Sequence, residues 1–278
     1  DVVLVSDALM PRMIEKGLVQ KLNKDNIPNI SQMDKQYLDL DIDPGNQYSV
    51  PYMFGTVGLI YNKDVVKEKV DSWDILWDEK YKDQIFMFDT YRDTIGVALK
   101  KLGYSLNSTN KDEINEAKEL LLKQRKLVNP IYGVDNGTTM IPAGETNINM
   151  IWSGEGLNLQ AEYPNLVYVV PKEGANFWID SLCITSNAKN VDGAEKFINF
   201  VSDKKSALRI ADEIGYTTPN NRIASDVRDA LLHNEGRIIF TVFTNHISRL
   251  QELFNEVAKT HRKVVVMGKR MQTLINYV

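Results

Sequence analysis

The segment Ile85-Phe86-Met87-Phe88 is followed directly by Asp89-Thr90-Tyr91-Arg92-Asp93 and then by a helical pattern. Four consecutive apolar residues that give way to a 3.6-residue period predict a buried strand leading into an amphipathic helix. Gly103 ends the helical pattern. The apolar stripe of this helix consists of Ile95, Ala98, Leu99 and Leu102. Polar side chains at such a strand–helix turn are well placed to meet a ligand, because α/β proteins bind ligands at the carboxyl ends of their strands.

The same alternation continues on both sides of this segment. Upstream, strands are predicted at 2–5, as a buried strand, and at 56–61. A short helix between them starts after Ser6 or Asp7, either of which can cap it, and ends at Gly17. Downstream, a helix is predicted over 110–125, with Asn110 and Glu113 at capping-box spacing.

Three further strands and two helices complete the pattern. The strands are predicted at 147–152, 166–170 and 177–185. The apolar stripes of the two helices are Ala194, Phe197, Ile198 and Val201, then Ala207, Ile210, Ala211 and Ile214, with Gly215 closing the second. Strand–helix alternation of this kind predicts an α/β fold built from layers.

Composition sets modest limits on function. The 278 residues are 43% hydrophobic and 25% charged, with a formal net charge of −4, which is typical of soluble proteins of one large or two medium domains. Mild acidity gives no reason to expect nucleic-acid binding. The single cysteine, Cys183, lies in an apolar run and is predicted to be a small buried residue rather than a nucleophile. No apolar run approaches the roughly 20 residues that span a bilayer.

The chemistry of the chain is concentrated at Trp178 and Asp180, in the alternating run Asn176-Phe177-Trp178-Ile179-Asp180-Ser181. Residues i and i+2 of a strand point to the same face, so an indole and a carboxylate line one surface. Such a surface suits an organic ammonium ion, through cation–π attraction and charge-assisted hydrogen bonds. A buried structural tryptophan is the alternative, but an apolar core would not accept the neighbouring carboxylate unpaired. Trp152 ends a second alternating run, in which it shares a face with Ile148 and Met150.

Other candidate residues follow predicted strands. The set consists of Ser6, Asp7, Asp89, Thr90, Asp93, Trp152 and Tyr216. Each has a structural alternative: Asp93 and Asp7 are also suitable helix-capping acids, and Tyr216 is also suitable as a turn aromatic packed on the preceding helix. We find no nucleophile–base pair and no metal-ligand cluster, and we therefore predict a protein that is not an enzyme and needs no cofactor.

The sequence resembles the bacterial spermidine/putrescine-binding proteins, the extracytoplasmic receptors of polyamine ABC importers. The resemblance is collinear over residues 1–221. The matching runs are Tyr48-Ser49-Val50-Pro51-Tyr52, Ser72-Trp73-Asp74-Ile75-Leu76-Trp77, Ala98-Leu99-Lys100-Lys101-Leu102-Gly103-Tyr104-Ser105, Met150-Ile151-Trp152, Phe177-Trp178-Ile179-Asp180-Ser181-Leu182 and Ile214-Gly215-Tyr216-Thr217-Thr218-Pro219-Asn220.

The resemblance implies a two-lobed, type II periplasmic binding protein fold that closes on its ligand by hinge motion. Lobe 1 is expected to comprise residues 1–57 and 179–224, and lobe 2 residues 58–178, with the ligand in the interlobe cleft and crossings near 57–62 and 177–180. It implies a monomer that delivers a polyamine to a membrane permease. It also implies a periplasmic or membrane-anchored extracellular location, with the signal or lipoprotein segment and the opening strand and helix of the family absent from this chain.

The resemblance also assigns roles to individual residues. Trp178 would stack on the methylene chain of the polyamine, Asp180 would bind an amine in its middle, and Asp93 would grip a terminal ammonium. Trp152, Tyr216 and Ser6 match a tryptophan, a tyrosine and a serine that face the ligand. Two positions depart from the family. Thr90 stands where some members have a second terminal aspartate, so Asp89, Asp93 or Glu155 would hold that end, and Ala8 stands where an aromatic wall residue is common.

The tail from about Ser225 does not resemble that family. Its strand–helix–strand pattern resembles the start of the β-CASP region of ribonuclease J, through Gly236-Arg237-Ile238-Ile239-Phe240 and Ser248-Arg249-Leu250-Gln251. Residues 225–278 would then be a foreign β-α-β tail of a chimeric or mis-joined reading frame, and a chain that lacks the family's closing helices is expected to be less stable. Histidines 233, 246 and 261 do not have zinc-ligand spacing.

Two alternative functions remain open from the sequence. One keeps the fold and binds another small solute, an anion or a ferric ion, which would need converging basic donors or Tyr/His clusters. The other is a non-catalytic ribonuclease fragment acting through the tail.

Overall fold

The computed structural model describes residues 1–220 and the single position Val257. Its strands are β1 (Val2–Ser6), β2 (Ser49–Asn62), β3 (Ile85–Phe88), β4 (Ile131–Gly133), β5 (Ile148–Trp152), β6 (Leu166–Val169) and β7 (Phe177–Ile184). Its α-helices are α1 (Met10–Glu15), α2 (Tyr91–Lys101), α3 (Lys111–Val128), α4 (Gly137–Met140), α5 (Ser153–Glu162), α6 (Val191–Val201) and α7 (Lys204–Ile214). The α/β prediction is confirmed. The strand–helix–strand pattern predicted for the tail lies outside the described residues.

The chain forms two compact units. Unit 1 combines Asp1–Met53 with the chain from Ile179 onward, and unit 2 is Phe54–Trp178. The chain enters unit 2 inside β2 and leaves it inside β7. The predicted crossings at 57–62 and 177–180 fall in the same two strands. Because the second boundary follows Trp178, this tryptophan belongs to unit 2, whereas Asp180 belongs to unit 1.

Unit 2 contains a mixed sheet in the order β6-β2-β5-β3-β4. Strand β2 is antiparallel to β5, with Val57 opposite Trp152, and antiparallel to β6, with Leu59 opposite Val169. Strand β3 is parallel to both β5 and β4. The carboxyl ends of β3, β4 and β5 therefore lie at one edge of this sheet, which is where α/β proteins place their functional loops.

Both faces of the unit 2 sheet are covered. Ile148 and Met150 are fully buried in one apolar cluster, and Trp152 packs against the same cluster. Ile151, between them in sequence, belongs to a different cluster with Ile60. Side chains in a strand alternate between faces, so the prediction that Ile148, Met150 and Trp152 share a face is confirmed.

Unit 1 contains the antiparallel pair β1–β7, in register from Val2 opposite Ile184 to Ser6 opposite Asp180. Cys183 of β7 is completely buried with Val5 and Met10, and burial raises the pKa of its thiol to about 12. The prediction of a small buried residue is confirmed. The prediction that β1 is a buried strand is only partly correct, because Leu4 is 49% exposed.

The start of α1 differs from the prediction. The residue before the helix is Leu9, which makes no side-chain cap, and neither Ser6 nor Asp7 caps this helix. The carboxylate of Asp7 instead accepts a hydrogen bond from the backbone N–H of Ala8, at 2.7 Å. Residues 7–9 form a turn, which separates both predicted caps from the first helical residue. The predicted end at Gly17 is supported by the positive φ of 63°.

Helix α6 buries the predicted apolar stripe except for Phe197, since Ala194, Ile198 and Val201 are at most 5% exposed. Phe197 is 50% exposed, whereas Glu195 is only 3% exposed. The Glu195 carboxylate accepts hydrogen bonds from the backbone N–H of Asn23 at 2.8 Å and from the amide of Asn26 at 2.6 Å. A buried acid with good donors is tolerated, so this helix turns its carboxylate, and not Phe197, toward the 23–26 loop.

Candidate functional site

Asp180 lies in β7 of unit 1, directly opposite Ser6 at the end of β1. The backbone N–H of Asp7 donates to the carbonyl of Ile179 at 2.9 Å, which extends the pairing by one residue. Ser6, Asp7 and Asp180 are all half-buried. Unit 1 therefore brings these three predicted site residues together at one end of the β1–β7 pair.

The electrostatic environment of Asp180 is negative. Burial and the nearby charge of Asp7 raise the pKa of Asp180 from 3.8 to about 6. No residue in the described part of the chain donates a hydrogen bond or forms an ion pair with the Asp180 carboxylate. A half-buried carboxylate beside a second acid is costly, and an added cation would lower that cost.

Asp93 lies in the first turn of α2 in unit 2 and is only 8% exposed. One carboxylate oxygen accepts a hydrogen bond from the Thr90 hydroxyl at 2.7 Å, and the other accepts one from the Asn176 amide at 2.9 Å. Thr90 is the residue before α2, but its hydroxyl donates to Asp93 and makes no hydrogen bond that caps the helix backbone. Both donors are neutral, so the negative charge of Asp93 is oriented without being cancelled.

Trp152 lies at the carboxyl end of β5, half-buried against the core of unit 2. Its ring stacks on Phe88 at the end of β3, with centroids 4.4 Å apart and an interplanar angle of 25°. Such a stacked aromatic pair contributes about 0.5–1.5 kcal/mol beyond its buried area. One face of the indole is therefore held by Phe88.

Trp178 is the last residue of unit 2 and packs, half-buried, against the same core cluster as Trp152. Asp89 follows β3, is exposed, and its backbone N–H donates to the carbonyl of Gly133 at 2.7 Å. Glu155, in the first turn of α5, is half-buried, and burial together with Asp135 raises its pKa. Unit 2 thus places Asp89, Thr90, Asp93 and Trp152 at the carboxyl ends of β3 and β5.

Tyr216 follows α7 in unit 1 and is half-buried. Gly215 before it has a φ of 78° in the left-handed region, so the predicted helix end is where the sequence placed it. The role of Tyr216 in the site stays a prediction.

Sequence reasoning missed two residues at this edge. Asn176 holds Asp93, and Phe88 holds Trp152. The signal for Asn176 was weak: a polar residue two positions before Trp178, immediately before β7. Phe88 could be assigned to a buried strand, but its contact with Trp152 depends on the parallel pairing of β3 with β5, which the sequence does not specify.

Among the described residues, no three His, Cys, Asp or Glu side chains converge in a way that would hold a metal ion. Within the same part of the chain, no helix has both the length and the apolar character needed to cross a membrane. The candidate residues themselves offer carboxylates and indoles, and not the converging basic donors that an anion would need.

The α/β fold in two units, with the chain passing between them in β2 and again in β7, is that of a periplasmic-type solute-binding protein. The chain belongs to the bacterial extracellular solute-binding protein family, which matches residues 1–235. Residues 235–278 match instead the β-CASP domain of ribonuclease J. Both resemblances noted in the sequence are confirmed, and the solute-binding match extends beyond the predicted end near Ser225. Members of this family are binding proteins and not enzymes, which agrees with the class of protein predicted from the sequence.

Individual relatives agree with this assignment. The chain is 38% identical over 221 residues to the spermidine/putrescine-binding periplasmic protein of Salmonella typhimurium and 39% identical over 221 residues to that of Escherichia coli. Each of these matches covers 79% of this chain and 63% of the relative, so the chain spans less than two thirds of these curated relatives.

Solved structures show the same fold. A Listeria monocytogenes protein assigned to a spermidine/putrescine ABC transporter has a TM-score of 0.75 and 34% identity, covering 100% of this chain and 81% of that one. The substrate-binding protein PotD of Streptococcus pneumoniae has a TM-score of 0.72 and 29% identity, covering 93% of this chain and 83% of that one. The prediction of a periplasmic binding protein fold is confirmed.

Proposed function

We propose that this protein is the extracytoplasmic substrate-binding component of a polyamine ABC importer. The observation that carries the proposal is the Asp180 carboxylate, which is half-buried beside Asp7 and has no cationic partner among the described residues. A carboxylate in this state favours a cation that enters from solution. The relatives are spermidine/putrescine-binding proteins, which supports a polyamine as that cation.

The ligand chemistry fits the side chains of both units. A polyamine carries two or more ammonium groups separated by apolar methylenes. We propose that Asp180 and Asp93 accept hydrogen bonds from ammonium groups and that Trp178 and Trp152 cover methylenes or ammonium groups with their rings. Hydrogen bonds to charged groups contribute about 1.5–3 kcal/mol each, and cation–π contacts about 0.5–2 kcal/mol. Part of this is lost in desolvating and ordering a flexible ligand.

The supporting residues have graded roles in this proposal. Ser6, Asp7 and Tyr216 complete the contacts made by unit 1, and Thr90 acts by orienting Asp93. Asp89 and Glu155 supply further negative charge at the carboxyl edge of the unit 2 sheet. We further propose that the protein works as a monomer, in the periplasm or anchored outside the cell membrane, and delivers its ligand to a permease.

A thermal-shift screen tests the proposal. Ligands that bind only the native state raise its melting temperature with concentration. The full chain is screened against putrescine, spermidine, lysine, phosphate and RNA. We expect putrescine or spermidine to raise the melting temperature while lysine and phosphate do not. A shift with phosphate alone would replace the proposal with anion binding, and a shift with RNA alone would favour the ribonuclease-like tail.

A further inference from the structure

Gly55 provides the surface on which the Trp178 ring rests. A Cβ atom at residue 55 would lie 2.7 Å from Cζ2 and 3.1 Å from Cε2 of Trp178. It would also lie 2.7 Å from Oγ of Ser153. These separations are well below the 3.5–4.0 Å of a favourable contact. The six-membered ring of the indole therefore occupies the space that a side chain at residue 55 would need.

The glycine is required for space and not for backbone conformation. The φ of Gly55 lies outside the left-handed region, so the backbone there would accept any L-residue. An alanine would keep the strand conformation, and the three atoms nearest to its Cβ would belong to Trp178 and Ser153. In this respect Gly55 differs from Gly17 and Gly215, which have positive φ.

The backbone at residue 55 is held on both sides and cannot easily retreat from an added methyl group. The N–H of Thr56 donates to Oγ of Ser153 at 3.2 Å. The N–H of Val57 donates to the carbonyl of Asn176 at 3.0 Å. Phe54 contacts Phe177, the residue before Trp178, with ring centroids 5.4 Å apart. An extra methyl group would therefore be accommodated by displacing the indole or the Ser153 hydroxyl.

We infer that Gly55 is a positioning residue for ligand binding, because the bare backbone at this position fixes where the Trp178 indole presents its face. The inference rests on the proposed polyamine function. Gly55 does not touch the ligand in this account but acts through Trp178. An alanine at residue 55 moves the ring and weakens the contact between the ring and the polyamine.

The chain offers a matched control on the same strand. A Cβ atom at Gly58 would lie 2.6 Å from the ring of Tyr168, an equally severe conflict, and its three nearest atoms all belong to Tyr168 and none to Trp178. Gly55→Ala and Gly58→Ala therefore impose similar overpacking on β2, and both are expected to lower the melting temperature. Only Gly55→Ala is expected to move Trp178.

The first measurement does not depend on any ligand. The protein is labelled with 5-fluorotryptophan, and the Trp178 resonance is assigned in the ¹⁹F NMR spectrum by its loss in Trp178→Phe. We expect the Trp178 resonance to shift in Gly55→Ala and to stay in place in Gly58→Ala. An unchanged resonance in Gly55→Ala would overturn the inference, whatever the ligand of the protein.

The second measurement connects position with binding. Spermidine affinity is measured by calorimetry for wild type, Gly55→Ala, Trp178→Ala and the double variant. We expect Gly55→Ala to weaken binding about tenfold and to have no further effect in the Trp178→Ala background, because residues that act through one contact are not additive. A tenfold loss that persists without Trp178, or wild-type affinity in Gly55→Ala, would overturn the inference while leaving polyamine binding intact. Failure of the wild type to bind any polyamine would overturn the proposed function, and the ligand role of Gly55 with it.

Discussion

Ser6 and Asp180 stand directly opposite each other in the antiparallel register of β1 and β7. Directly opposed residues in such a pair project to the same face of the sheet, so a hydroxyl lies on the same face as the half-buried carboxylate. The negative charge of Asp7, one residue beyond Ser6, also repels the Asp180 carboxylate and helps to raise its pKa. This arrangement is unfavourable for the unliganded protein and favourable for a cationic ligand.

Replacing Asp180 should therefore stabilise the unliganded protein. At neutral pH the native state pays for ionising a carboxylate whose pKa is raised to about 6. Asp180→Asn removes that cost, and we expect the free energy of unfolding to increase by up to about 2 kcal/mol at pH 7.5. Urea unfolding measures the change, with Asp41→Asn as a control of equal charge change at an exposed position. A lower stability of Asp180→Asn at pH 7.5 would show that the carboxylate already has a favourable partner.

The stability gain should depend on pH in a defined direction. The pKa of Asp180 in the folded protein lies above the ordinary value of 3.8, so the native state binds more protons than the unfolded state between about pH 4 and pH 6. The contribution of Asp180 to stability is therefore greatest below this window and is lost as the pH rises through it. The difference between Asp180→Asn and wild type should shrink as the pH is lowered from 7 to 4. A difference that does not change over this range would contradict the raised pKa.

Ligand binding should respond to the same proton. An ammonium group can replace the proton on Asp180 but cannot bind well to the protonated acid. We expect polyamine affinity to fall as the pH drops below about 6, and binding at pH 6 to release on the order of half a proton. Calorimetry in two buffers of different ionisation enthalpy measures the released protons. In Asp180→Asn the release should disappear, and a release that persists there would assign the proton to another group.

Asn176 should be needed to hold Asp93. Its amide donates to Asp93 at 2.9 Å, and both residues are buried. Asn176→Ala leaves that carboxylate oxygen without its donor, and we expect a loss of about 1–3 kcal/mol of stability together with weaker polyamine binding. Asn107→Ala removes an exposed asparagine and should change stability by less than about 0.5 kcal/mol. Equal effects of the two substitutions would mean that the Asn176–Asp93 hydrogen bond has no structural importance.

Trp152 should serve both the core and the ligand, and two substitutions separate these roles. Trp152→Ala removes the stack on Phe88 and part of the unit 2 core, so we expect a loss of about 3–5 kcal/mol of stability. Trp152→Phe keeps an aromatic ring against Phe88 and should cost much less. If the indole contacts the polyamine, Trp152→Phe will still weaken binding, because the smaller ring gives a weaker cation–π contact. Unchanged affinity in Trp152→Phe would assign Trp152 to the core alone.

The sequence was a good guide where one local pattern was decisive. Alternation in β7 and the apolar run of β3 predicted their positions to within one residue, because a buried strand needs apolar side chains at defined positions. Strand β2 was predicted only at 56–61 but extends over Ser49–Asn62 and includes Pro51. A proline usually argues against a strand interior, because it cannot donate a ladder hydrogen bond. Strand β4 has only three residues, which is too few to show an alternation of apolar and polar residues in the sequence.

The sequence was a poor guide where the outcome depended on a distant partner. In α6 the predicted stripe is buried except for Phe197, and Glu195 is buried beside it because the loop at 23–26 supplies hydrogen bonds to the acid. The contacts of Asp93 with Asn176 and of Trp152 with Phe88 likewise join residues far apart in the chain. Residue types at strand ends thus suggested the chemistry of the candidate site, but only the folded chain shows what holds each side chain.

The most direct measurement is the titration of spermidine and putrescine into the full chain and into Asp180→Asn at pH 7.5. We expect saturable binding of at least one polyamine by the wild type. Loss of the charged partner in Asp180→Asn should weaken it more than about tenfold, which corresponds to the contribution of one charge-assisted hydrogen bond. Asp41→Asn should retain wild-type affinity. Absence of polyamine binding by a folded wild-type protein, or equal affinities of wild type and Asp180→Asn, would contradict the account.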